Sequence, residues 1–164
     1  MIFFIFFFIL YNIIMLKVIS FSLYGERAKY ILGMKENIFF AEKYFPEWIV
    51  YIYYNSTVPK KYIDEFKSLK IKCILKENLG ENKMNWEGMF WRWMPLDDKD
   101  VDIWICRDAD SRLCERDAKI VKEWEEYGKT LHCIRDHPCH YHYIMGGMFG
   151  INNKLFHSRY KFDR

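Results

Sequence analysis

Between residues 18 and 134, short apolar runs rich in β-formers alternate with segments of helical periodicity, and that alternation limits the available folds more than any other feature. Val18–Leu23, Trp48–Tyr54, Ile71–Leu75, Val101–Cys106 and Leu131–Ile134 read as strands. Glu26–Tyr44 carries Ala28, Ile31, Leu32 and Ile38 on helical spacing, and Pro46 marks its end. Pro59 opens a helix in which Tyr62, Ile63, Phe66 and Leu69 share a face. Trp86–Met94 reads as a helix halted by Pro95. Glu115–Tyr127 places Ala118, Ile120, Val121, Trp124 and Tyr127 at helical intervals, with Gly128 as its C-cap. Strand and helix in strict turn imply an α/β fold, a mostly parallel sheet with helices on both faces.

The chain of 164 residues fits one domain, and its 51% hydrophobic and 29% charged residues describe a globular protein. A formal charge of +3, scattered among acidic residues, argues against a nucleic-acid partner. Five cysteines, odd in number and without CxxC spacing, argue against a disulfide framework and for a reducing, cytoplasmic setting. Residues 1–16 are apolar except for Tyr11 and Asn12, short of the roughly 20 residues a spanning helix needs. They also lack the basic start and cleavage site of a signal peptide. Membrane association through 1–16 is one reading of this run; a natural start at Met15, with a non-native extension before it, is the other. The domain proper is expected over 17–164.

The chemistry is concentrated where the fourth strand ends, in Cys106-Arg107-Asp108-Ala109-Asp110-Ser111-Arg112. In extended chain, residues i and i+2 point the same way, so Asp108 and Asp110 offer two carboxylates to one point. Hard oxygen donors at a strand's carboxyl end suit Mg²⁺ or Mn²⁺ shared with a substrate phosphate. That edge is also where open α/β sheets bind ligands.

With the aspartate pair closing such a strand, the chain resembles DXD-containing glycosyltransferases of the GT-A fold, a Rossmann-like architecture. The likeness extends over Val18-Ile19-Ser20-Phe21-Ser22-Leu23-Tyr24-Gly25, Arg107 to Leu113, Arg135-Asp136-His137-Pro138 and Gly146-Gly147-Met148-Phe149-Gly150. It implies a nucleotide-sugar donor, with Mn²⁺ or Mg²⁺ on Asp108 and Asp110. Ser22 and Tyr24 would lie near the nucleoside, and Arg92, Arg107 and Arg112 near the donor and its phosphates. Gly146 and Gly147 would allow close backbone approach. Asp136, with His137 as second choice, would be the general base that an inverting transfer needs. The acceptor, a glycan, protein or lipid, has no signature. Only 151–164 follow the glycine motif, so the chain resembles the donor half of such an enzyme with its end missing; His157 is the one candidate for a late ligand.

Other readings stay open. A catalytically inactive or truncated domain that binds nucleotide-sugar without turnover is the main alternative. An Asp-X-Asp can be a plain solvated turn. His132-Cys133-Ile134-Arg135-Asp136-His137-Pro138-Cys139-His140-Tyr141-His142 holds four His and two Cys, enough for a zinc module, but without a close cysteine pair. Trp91, Trp93, Trp124 and Phe149 read as core packing rather than sugar platforms.

Overall fold

The computed structural model describes residues 15–67, 70–77 and 86–160. In chain order its elements are β1 (Lys17–Leu23), α1 (Ala28–Tyr44), β2 (Ile49–Tyr54), α2 (Lys60–Phe66), β3 (Ile71–Leu75), α3 (Trp86–Phe90), a 3₁₀ segment (Trp91–Leu96), β4 (Ile103–Arg107), α4 (Glu115–Tyr127), β5 (Leu131–Cys133), β6 (Met148–Asn152) and α5 (Asn153–Arg159). The six strands form one sheet in the order β3-β2-β1-β4-β6-β5. β3, β2, β1 and β4 run parallel, whereas β6 runs antiparallel between β4 and β5. Of the apolar run at 1–16, residues 1–14 lie outside the described residues. Among the described residues, no helix is long and apolar enough to cross a membrane.

Strand periodicity sorts the core into two layers. Ile19, Phe21, Leu23, Val50, Ile52, Ile103 and Ile105 point to one face, where they meet Ile31 and Met34 of α1, Ile63 and Phe66 of α2, and Val121 and Trp124 of α4. Val18, Tyr51, Tyr53, Trp104 and Cys106 point to the other, covered by Trp91 of the 3₁₀ segment, Phe149, Ile151 and Phe156. Strands buried on both faces explain the near-continuous apolar runs in the sequence.

The structure differs from the sequence expectation in three places. The helix expected over Trp86–Met94 ends at Phe90 and tightens into a 3₁₀ segment that includes Pro95. There Asp97 N donates to Met94 O, the i+3 spacing of the tighter winding. Residues 148–152, read only as a glycine motif, form β6. Its Gly150 lies so close to Ile105 and the Trp104 carbonyl that a side chain would collide with the neighbouring strand. Finally, α5 is capped by Asn152, whose side chain accepts from Leu155 N at 3.1 Å.

Candidate functional site

A cavity of about 390 Å³ opens at the carboxyl ends of β1 and β4, lined among others by Ser22, Tyr24, Arg27, Arg92, Asp108 and Asp110. Both carboxylates reach it because β4 ends at Arg107 and the chain turns at once, Ser111 N donating to Asp108 O at 3.0 Å. Asp108 has the parity of Trp104 and Cys106, so it emerges on the 3₁₀ side of the sheet and pairs with Arg92. Asp110 pairs with Lys29 of α1 at 2.5 Å, an attraction that raises the lysine pKa.

The aspartate loop is held from below by a residue the sequence reading did not single out. Asn37, fully buried in α1, donates from Nδ2 to Ala109 O (3.3 Å) and Ser111 O (2.8 Å) and accepts from Leu113 N (2.9 Å). It satisfies the Ala109 carbonyl and the Leu113 N–H, and shares the Ser111 carbonyl with Arg112 Nη1. Gly33, one turn earlier, lets the helix approach until the Ala109 carbonyl fills the space of a side chain. An asparagine on the face shared by Met34 and Ala41 is the signal that was there to read.

The opposite wall is built from the other layer. Arg92 N donates to Ser22 Oγ at 3.0 Å, tying the 3₁₀ segment to the end of β1. Tyr24 sits edge-on to Trp91 with ring centroids 6.1 Å apart, and Gly88 allows α3 to lie against its ring. Burial raises the Tyr24 pKa. Gly25, with φ of 75°, turns the chain out of β1, and its N–H donates to Thr57 Oγ1, which in turn donates to Asn55. Gly146 and Gly147 close the side: a Cβ at Gly147 would enter the Asp108 carboxylate, and one at Gly146 would crowd Arg92. Trp93 is only partly covered; its Nε1 donates to Gly146 O at 3.3 Å.

The remaining sequence candidates lie elsewhere. Arg107 shares the parity of Ile103 and Ile105, so it turns toward α4, where it bonds Cys106 O at 2.8 Å and faces Asp117 at 3.4 Å. Arg112 pairs with Glu36 of α1. Asp136 is engaged by Arg116 at 2.7 Å and His140 at 2.9 Å. Although desolvation pushes the other way, hydrogen bonds from His140 and its own backbone, with the Arg116 charge, hold its pKa below the usual value. His137 Nδ1 accepts from Cys139 N at 3.1 Å. His157 bonds Leu96 O at 3.0 Å, and antiparallel β6 has carried α5 to the far end of β4 from Asp108.

In the histidine-rich segment, His132 is buried in β5 and stacked on Trp124 at 5.2 Å, and desolvation lowers its pKa to about 4. Among the described residues, no three His, Cys, Asp or Glu side chains gather as a metal set. Trp91, Trp124 and Phe149 are buried core.

No protein-family model and no curated sequence relative matches the chain. Among solved structures it is similar to a mannosyltransferase from Pyrobaculum calidifontis in complex with GDP-Man and Mn²⁺. The TM-score is 0.58 at 13% identity, over 90% of this chain and 47% of that one. This chain therefore spans about half the length of that protein. The likeness establishes the fold: a mostly parallel sheet flanked by helices, of a kind found in a glycosyltransferase.

Proposed function

We propose that the chain binds a nucleotide-sugar donor in the Asp108 cavity, with Mn²⁺ or Mg²⁺, and transfers its glycosyl group to an acceptor hydroxyl. The observation that carries this reading is the convergence of Asp108, Asp110, Arg92 and Arg27 on one cavity at the carboxyl ends of β1 and β4. The carboxylates fit such an ion: two hard oxygen donors from the protein, the other ligands coming from diphosphate and water, is a usual arrangement for Mg²⁺. When bound, the ion supplies neutralising charge for the departing diphosphate.

The protein's own residues do the rest. Arg92 and Arg27 bring positive charge to the same cavity, and Ser22 fixes Arg92 through its backbone. Asn37 holds the backbone that carries the carboxylates and Gly147 leaves room beside Asp108, so what the donor and ion must rearrange is the pairing of the aspartates with Arg92 and Lys29. Asp136, tied to Arg116 and His140, is a weaker base than an ordinary carboxylate. Transfer in this chain therefore rests on donor positioning and charge neutralisation more than on proton abstraction there.

A second reading, donor binding without turnover, is favoured by the ion pairs themselves. Arg92 and Lys29 already compensate both aspartates, and a nucleotide phosphate can compete for those cations without any ion. Calorimetric titration of UDP and GDP, with and without Mn²⁺, separates the readings. The transferase reading expects metal-dependent binding that the Asp108→Asn/Asp110→Asn double variant loses, together with slow hydrolysis of a nucleotide-sugar. Binding indifferent to Mn²⁺, and no hydrolysis, selects the second. A folded protein that binds neither nucleotide sinks both.

A further inference from the structure

On the α4 side of β4 lies a second cavity, of about 250 Å³, lined among others by Arg107, Arg112, Arg116, Asp117, Asp136 and Gly147. Three guanidinium groups line it with Asp117 and Asp136, and Glu36 beside Arg112 evens the formal balance, so what matters is how well each charge is met. Compensation is uneven. Arg116 has Asp136 at 2.7 Å, and Arg112 has Glu36 and the Ser111 carbonyl. Arg107, only 3% exposed, has a long contact to Asp117 at 3.4 Å, and its buried Nε has no hydrogen-bond partner. A guanidinium cannot shed its charge, and a buried charge with incomplete compensation is costly. An oxyanion is the group whose geometry matches its forked donors.

The cavity's position says which substrate that oxyanion belongs to. Gly147 lines this cavity and also lies against the Asp108 carboxylate. The two cavities thus back onto each other across Asp108, with Ser22 and Tyr24 on the far side. We infer that this second cavity is the subsite for an acidic group, phosphate or carboxylate, carried by the acceptor. The inference rests on the donor reading of the first cavity.

The test uses the full ¹⁵N-labelled chain and follows the Arg107 Nε–H resonance during titration with inorganic phosphate and, separately, acetate. The expected result is a saturable shift that persists when UDP or GDP with Mg²⁺ is present at saturation. The anion giving the tighter response tells whether phosphate or carboxylate is the acceptor's acid. Arg116→Gln, at the cavity's exposed edge, should weaken that response about tenfold, as loss of one charge-assisted contact predicts, and leave nucleotide affinity as it was. No shift with either anion, or a shift abolished by bound nucleotide, overturns the subsite. A shift without any nucleotide binding keeps the anion site but overturns its assignment to an acceptor, because the donor reading has then failed on its own.

Discussion

The two faces of the sheet are built differently, and the candidate site draws something from each. Toward α1, α2 and α4 the described core holds nineteen buried apolar residues; toward the 3₁₀ segment and α5 it holds nine. The thin face makes up part of the difference with a polar anchor. Asn153, fully buried, donates to Pro95 O and Val101 O and accepts from Trp104 Nε1. Asp108 and Arg92 emerge on this thin face, yet the loop carrying both aspartates is clamped from the thick one by Asn37 and Gly33. Groups that line the candidate cavity thus stand where packing leaves room, on backbone fixed where packing is dense.

The sharpest attempt to break this comparison truncates one large side chain on each face. Phe21→Ala on the thick face should cost about 4 kcal/mol in denaturant unfolding, and Phe149→Ala on the thin face nearer 3. Equal costs would erase the distinction.

The asparagines come next. Asn37→Ala and Asn153→Ala each remove three hydrogen bonds at a buried side chain, for about 3 kcal/mol apiece. Only Asn37→Ala should also weaken Mn²⁺-dependent nucleotide binding. A matching loss in Asn153→Ala would show that the clamp is not confined to α1.

Acid tests the edge of the thick face. Burial holds His132 at about 4 in the folded chain against an ordinary value of 6.5, so the unfolded chain takes up the proton first. Its neutral state costs nothing above that ordinary value, and stability is then lost as the pH falls toward the folded value. By pH 5 the loss is about 2 kcal/mol. His132→Phe should flatten that limb of the stability profile, and an unchanged limb would refute the assignment.

The smallest effect is a control on the surface of the thick face. Glu65→Gln, which removes the exposed partner of Lys35, should change stability by less than about 0.5 kcal/mol.

Much of the thick face was legible because its signals are local. Apolar runs bounded by turn residues gave β1 to β4, and Gly128, with φ of 58°, ends α4 where the sequence placed its cap. Both aspartates line one cavity, but across a turn that begins at Asp108 rather than on the extended segment the sequence suggested. The same period-two rule already put Arg107 on the opposite side from Asp108, a consequence its grouping with the donor residues had passed over. The thin face was harder to read. Met148–Asn152 is interrupted by the strand-weakening Gly150 and pairs on both sides, with β4 and β5. Asn37 and Asn153 interrupt apolar patterns, and their meaning lies in backbone groups some fifty to seventy-six residues away.

The place of β6 also sets an order of events. Among the described strands β5 pairs only with β6, so it has no sheet edge to join until the last strand has docked on β4. Everything between them, Asp136, His137, Gly146 and Gly147 included, is a loop closed by that docking. The second cavity and the glycine wall of the first should therefore assemble late, and open together as one cooperative unit in native-state hydrogen exchange. A nascent chain that has completed β1 to β4 already has the residues of the Ser22 and Tyr24 side of the cavity, and gains its glycine wall only when β6 arrives.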